Sequence, residues 1–285
     1  MNTTVAARLR DATERLGPGN STARLDAELL MAAAFGVSRS ELLLRHMRDP
    51  APDGFEPLLA RRLANEPVAY ILGTAEFYGL ELEVTPAVLI PRADSETAIE
   101  AARDAFAGSP PARILDCGTG SGALLLAALS LFPEAAGVGI DRSTDALAVA
   151  ARNAAKLGLT ERAAFHLRDW DQPGWAHGLG ASFDLILANP PYVENDAALE
   201  PVVRDHEPAG ALFAGPEGLD AYRILIPQLP ALLAPQGLAL VEIGYRQAGA
   251  VAEIGAWAGL TSRLHRDLAG RARVVAFSAE TGHVA

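Results

Sequence analysis

Asn189-Pro190-Pro191-Tyr192 is the stretch of this chain whose residue types and order can do chemistry. It follows Phe183–Ala188, an apolar run of strand length. Two successive prolines fix φ twice and remove two backbone N–H groups, and the residue before a proline is held extended. The chain therefore leaves the strand as a stiff loop whose carbonyls take no part in local helix bonding. At the head of that loop, the Asn189 side-chain oxygen and the Pro190 carbonyl form two hydrogen-bond acceptors with little freedom to relax. Such a pair suits a planar –NH2 group and points to chemistry on an amide or amine nitrogen. A Pro-Pro pair after a strand is often only a turn, so the motif gains meaning from a cofactor site on the same sheet.

Such a site lies upstream. Ala112–Cys117 reads as a short strand, Gly118-Thr119-Gly120-Ser121-Gly122 as a loop, and Ala123–Leu129 as the start of a helix. Glycines permit a tight turn and close approach of backbone to ligand, and a helix N-terminus offers free N–H groups to an anionic group. The next strand, Ala136–Ile140, ends in Asp141, where an acid is the usual partner of ribose hydroxyls. The loop spacing is G-x-G-x-G, not the dinucleotide fingerprint G-x-G-x-x-G, and Asp116 precedes it by two positions. These details favour S-adenosylmethionine over NAD. A third strand, Ala163–Leu167, leads to Asp169 and Trp170. Trp170 is placed to stack on or flank an adenine, and Asp169 to accept from its amino group.

Composition narrows the function classes. The 285 residues carry a formal net charge of −11, which disfavours a large nucleic-acid ligand. A hydrophobic content of 50% with 21% charged residues is that of a folded chain. The single cysteine, Cys117, forbids an intramolecular disulfide and a cysteine-rich zinc site, and its strand-end position suits a small buried hydrophobe. His166, His206 and the other histidines show no metal-ligand spacing, so no metal is expected. No run is long enough to span a membrane, and the N-terminal residues read as an amphipathic helix, not a signal peptide. A soluble cytoplasmic protein is the expectation.

The elements that must position these residues fall into three segments. Residues 1–74 read as a small helical bundle, with helical spacing over Leu25–Met31, Ser38–Leu44 and Phe55–Ala64 and a stop at Gly36. Residues 75–94 read as a linker with a β-hairpin, and 95–285 as a domain of alternating strands and helices, the pattern of a parallel doubly wound sheet. Within it Leu219–Leu233 and Arg246–Ala258 are expected helices, and Leu238–Ile243, Ser262–Asp267 and Arg273–Ser278 expected strands.

Over nearly its whole length the chain resembles the HemK/PrmC-type protein-(glutamine) methyltransferases. Pro67–Gly73 with Glu76–Gly79, Val88–Arg92, Leu115–Gly122, Asn189–Tyr192, Gly244-Tyr245 and Asp267–Arg271 carry the resemblance. Departures are Ala93, where the family usually has proline, Ser95, where it has threonine, and Ala209, where a basic residue is common. The resemblance implies an α/β fold: a Rossmann-like class I methyltransferase sheet beside a helical bundle that recognises the partner. It implies S-adenosyl-L-methionine as cofactor and class 1 peptide chain release factors as partners, methylated on the glutamine of their Gly-Gly-Gln loop. By position, Gly118, Thr119, Gly120, Ser121 and Gly122 would line the methionine end of the cofactor. Asp141 would hold the ribose, and Asp169 and Trp170 the adenine. Asn189 and Pro190 would be the catalytic pair holding the substrate amide, Asn189 also touching cofactor, while Pro191 and Tyr192 complete the substrate loop. A ribosomal-protein glutamine methyltransferase, a DNA adenine methyltransferase and a non-catalytic binding module are the competing readings.

Overall fold

The computed structural model describes residues 3–17, 19–180 and 182–279. They form two compact units: residues up to Thr74 together with Leu199–His206, and Ala75–Ala198 together with Glu207 onward.

The first unit contains α1 (Val5–Leu16), α2 (Ala23–Phe35), α3 (Arg39–Glu41), which runs on into a π-turn at Leu42–His46, α4 (Phe55–Leu63) and α5 (Val68–Leu72). Val5, Leu9 and Ala12 bury one stripe of α1 against Ala27, Leu30 and Met31 of α2 and Phe55 and Leu59 of α4. The Thr4 hydroxyl accepts from the Ala7 amide at the start of α1, and Gly36, at φ 74°, ends α2 in the left-handed conformation. Asp26 and Glu28 are buried on α2, where each requires a cation. Arg62 reaches Asp26 at 2.8 Å, and Arg24 and Arg39 reach Glu28 at 2.5 and 2.7 Å.

The second unit opens with the hairpin β1 (Thr74–Phe77) and β2 (Leu80–Glu83). Its two turn residues, Tyr78 and Gly79, have φ of 50° and 74°, the signs a tight two-residue hairpin loop requires. A 3-10 turn, Ala93–Ser95, feeds α6 (Glu96–Ala105). Then follow β3 (Arg113–Cys117), α7 (Ala123–Leu131), β4 (Ala136–Asp141), α8 (Thr144–Lys156), β5 (Ala163–Leu167) and β6 (Phe183–Ala188). After α9 (Pro201–Arg204) of the first unit come α10 (Asp220–Leu225), β7 (Leu233–Glu242), α11 (Ala248–Trp257), β8 (Leu260–Arg266) and β9 (Ala272–Ala279).

Seven of these strands make one sheet in the order β5-β4-β3-β6-β7-β9-β8. Alternate residues bury opposite faces, as the strand period dictates. Ile114, Leu185, Leu187 and Leu240 pack under α6 and α7, while Leu115, Cys117, Ile186 and Val241 pack under α10 and α11. The strand order reverses between β3 and β6, so the carboxyl ends of these neighbours open a cleft. In register, Cys117 lies beside both Ile140 and Ala188.

Two sequence expectations need correction. The sheet is not wholly parallel: β9 runs antiparallel to both β7 and β8, because β8 returns through the tight turn at Asp267–Arg271, too short for a parallel crossover. Nor is Leu219–Leu233 one helix. Pro227 and Pro230 remove two donors, α10 ends at Leu225, Ile226–Ala231 is a 3-10 segment, and Leu233 already belongs to β7. Among the described residues no helix is long and apolar enough to cross a membrane.

Candidate active site

The glycine loop is fastened to β4. Gly118, Gly120 and Gly122 sit at φ of 75°, 54° and 84°, where side chains are strained. The Gly118 and Thr119 amides both donate to the Ile140 carbonyl at 2.9 Å, and the Gly122 amide to the Thr119 carbonyl at 2.7 Å. The Gly120 amide donates to Asp141 Oδ2 at 3.0 Å. These N–H groups are satisfied within the protein, so this part of the loop presents a shaped wall. Gly118 also has a spatial reason: a Cβ there would lie 3.0 Å from the Trp170 ring.

Asp141 ends β4 half-buried, its Oδ1 accepting from the Ser143 amide at 2.9 Å. A carboxylate has about four lone-pair positions, and two remain for hydroxyl donors. Asp116 is 1% exposed. Its Oδ2 accepts from the Thr119 hydroxyl at 2.7 Å, and its Oδ1 has no partner among the described residues. Burial pushes this carboxyl up to about 7, against the downward pull of the Thr119 hydroxyl, while the charge of Asp141 adds to the rise. Cys117, fully buried beside it, has its thiol pushed up by the same desolvation and is no nucleophile.

These groups face a cavity of about 440 Å³, within the range of small-molecule sites. Gly118, Thr119, Gly120, Ser121, Asp141, Asp169, Trp170, Asn189 and Pro191 line it, whereas Gly122, Pro190 and Tyr192 do not. Gly122 lies at the start of α7. Asp141, Asp169, Asp171 and Asp220 outnumber Arg142 and Arg168 around the wall, a balance that favours a cationic ligand. Arg142 also donates to the Gly210 carbonyl at 2.9 Å, which holds the segment after Pro208 at the rim. Trp170 packs partly buried against the lower core, its carbonyl accepting from Gln228 at 3.2 Å.

Asn189 leaves β6 half-buried at the cavity wall, and its Nδ2 donates to Ser95 Oγ at 3.4 Å. Pro190 is buried. Among the described residues none donates to Asn189 Oδ1 or to the Pro190 carbonyl. Tyr192 packs against the lower core instead of walling the cavity, and its hydroxyl donates to Glu242 Oε1 at 3.3 Å. Burial and the Glu242 charge push the Tyr192 phenol up.

The sequence reading missed four residues behind this loop. Ser95 is 5% and Glu242 1% exposed. Burial pushes the Glu242 carboxyl up to about 7, restrained by the Ser95 hydroxyl, the Arg273 guanidinium and the Tyr192 hydroxyl. Arg273, itself buried, reaches Asp94 at 2.7 Å and Asp267 at 3.4 Å. Glu207 is buried, accepting from the Ile90 amide at 3.3 Å and pairing with Arg92. One signal was present in the sequence: Glu242 closes the apolar run Leu238–Val241, and a lone carboxylate at the end of such a run needs partners.

Comparison with known proteins adds independent findings. The description "PrmC N-terminal domain" matches residues 7–73, and "Methyltransferase domain" matches residues 109–242. The chain is 42% identical over 275 residues to the release factor glutamine methyltransferase of Caulobacter vibrioides, covering 94% of this chain and 91% of that protein. It is 44% identical over 256 residues to the protein of the same name from Rhodospirillum rubrum, covering 88% and 77%. Among solved structures, the hMettl16 catalytic domain superposes with a TM-score of 0.55 at 15% identity over 78% of this chain and 81% of that one. The T. thermophilus 16S rRNA methyltransferase RsmC, in complex with AdoMet and guanosine, gives 0.52 at 18% identity over 73% and 50%. At these identities the structural likeness is one of fold.

Proposed function

The chain belongs to the release factor glutamine methyltransferase family, and from that membership we propose that it transfers a methyl group from S-adenosyl-L-methionine to the side-chain amide nitrogen of the Gly-Gly-Gln glutamine in class 1 peptide chain release factors. The observation that carries this reading is Asn189. Its amide nitrogen donates to Ser95, which leaves its oxygen free to accept, and the residue lines the cavity just past β6, the strand beside β3 and its glycine loop. The match of residues 7–73 to the PrmC N-terminal domain supports a role for the helical unit in recognising the release factor.

The residues present fit the cofactor. The glycine wall without side chains, the free lone pairs of Asp141 and the orphaned Asp116 Oδ1 suit a ligand bearing a ribose, an ammonium and a sulfonium. Gly118, Thr119, Gly120 and Ser121 would shape the methionine end, with Gly122 turning the loop into α7 behind them, Asp141 would take the ribose hydroxyls, and Asp169 and Trp170 would flank the adenine. When bound, the cofactor supplies an electrophilic methyl group.

The protein's task is then to present a poor nucleophile. An amide lone pair is delocalised into its carbonyl, and the motif holds no strong base. Asn189 Oδ1 and the Pro190 carbonyl would accept the two N–H bonds of the glutamine amide and so turn its nitrogen toward the methyl. As positive charge grows on that nitrogen, both acceptor dipoles stabilise it more than they stabilise the ground state. Pro191 at the wall and Tyr192 behind it keep the loop stiff. Holding the reacting atoms in line supplies a further large share of the rate, and the amide proton leaves after transfer.

Labelled cofactor incubated with a purified class 1 release factor, followed by mass spectrometry of the modified residue, tests the reaction. A mark on the Gly-Gly-Gln glutamine is expected; label on DNA, or on no protein, would reject it. Asn189→Ala should lower turnover by roughly 30- to 1,000-fold, while cofactor affinity by titration calorimetry persists.

A further inference from the structure

An asparagine amide has two orientations of nearly equal shape, and only one offers its oxygen to the substrate. Something must choose between them. Asn189 Nδ2 meets the Ser95 hydroxyl, and a hydroxyl has a single proton to give. Glu242 lies behind, 1% exposed, accepting at Oε1 from the Tyr192 hydroxyl, while its buried Oε2 has no hydrogen-bond partner among the described residues and is open to a donor. The Ser95 hydroxyl favours the charged form of that carboxyl, against its burial. The groups facing Glu242 are Arg273 of β9, Asp94 beside Ser95, Tyr192, and Tyr222 of α10, whose hydroxyl donates to the Glu242 backbone carbonyl at 3.0 Å.

Resting on the amide-methylation reading above, we propose that Glu242 is a positioning residue: as a carboxylate it takes the one Ser95 proton, leaves the Ser95 lone pairs for Asn189 Nδ2, and thereby fixes the Asn189 oxygen as the group presented to the substrate. An ionised carboxylate only accepts hydrogen bonds. The chain of donors therefore runs one way, from Asn189 through Ser95 to Glu242. A protonated Glu242, or a glutamine in its place, can donate to Ser95. Ser95 can then give its proton to Asn189, which selects the flipped amide and sets an –NH2 group against the –NH2 of the substrate. Glu242 never touches the reacting atoms; it acts through Ser95.

The test uses the full-length enzyme with a purified release factor, both substrates saturating, and kcat followed between about pH 6 and pH 9. Wild type should lose kcat as pH falls through the range where Glu242 protonates. Glu242→Gln should lower kcat roughly 10- to 100-fold, flatten that limb, and leave cofactor affinity within about twofold. Ser95→Ala should show the same flattened profile, and the double variant should cost no more than either single one, because both act through one relay. In cofactor-free protein, the Asn189 side-chain NH2 resonances should shift with pH in the wild type and not in Glu242→Gln.

A Glu242→Gln enzyme with wild-type kcat and an intact limb overturns the inference. So do independent, additive losses in the double variant, or Asn189 resonances indifferent to pH. Should Glu242→Gln fail to fold, Ser95→Ala and the wild-type resonances still decide the matter. Failure of the reaction reading looks different: the wild type itself would leave the glutamine unmethylated.

Discussion

On the reading proposed above Asn189 acts in one orientation only, and its neighbours at the cavity are tightly constrained. Gly118 pairs a φ of 75° with a Trp170 ring that would meet a Cβ at 3.0 Å. Gly118→Ala should therefore displace the Trp170 wall and strain the backbone by about 1–2 kcal/mol. Calorimetry should show cofactor affinity reduced by tenfold or more, with a lower unfolding midpoint; unchanged affinity would separate Gly118 from the cofactor site. The residues readable from sequence here are those whose chemistry is written in consecutive positions: the glycine loop, the acid closing β4, and Asn-Pro-Pro-Tyr after an apolar strand. Ser95 and Glu242 were not readable. They meet the substrate loop across separations of 94 and 50 positions, and only the sheet brings them there.

Elements divide along the same line. Strands β3, β4 and β6 were legible because buried parallel strands are short apolar runs bounded by turn residues, and the exposed edge strand β5 because it lies between a helix stop at Gly158 and the polar Asp169 turn. The pairing direction of β9 was not, since a strand's sequence does not record its neighbour. The segment after β7's predecessor helix was misread because apolar periodicity continued through Pro227 and Pro230. The stretch Ile90–Arg92 read only as linker, yet it is pinned by Glu207, which is buried and takes both the Ile90 amide and the Arg92 side chain. Glu207→Ala would strand a buried amide donor and release a half-exposed guanidinium. A loss of about 1–3 kcal/mol is expected, since Arg92 retains solvent. Urea unfolding measures it, and the Ile90 amide should exchange faster; an unchanged midpoint would make the contact ornamental.

For the molecule as a whole, Asp116 and Glu242 carry one shared cost. Both are held at about 7 by burial, whereas in the unfolded chain such carboxyls titrate near 4. Between those values the folded state binds protons that the unfolded state has released, so stability falls as pH rises from about 4 to about 7 and is level above. Glu56, Glu66 and Glu83, held low by Arg15, Arg61 and Arg152, act in the opposite sense. Their contribution is present above about 4 and fades only as pH drops further. Unfolding free energies from urea titration should therefore decline from about pH 5 to about pH 7.5, by at most about 3 kcal/mol per buried carboxyl, and Asp116→Asn should flatten the decline. A midpoint rising across that interval would contradict the assignment. The antiparallel insertion of β9 has a consequence in time. Among the described residues β8 pairs with β9 alone, and Arg273 of β9 reaches the Asp94 turn that leads into Ser95. During synthesis, everything from the glycine loop to Glu242 emerges first, yet β7 keeps a bare edge until this late strand slides into the gap. A nascent chain stalled before residue 272 would thus expose a sticky strand and leave the Asp94 turn without its Arg273 partner.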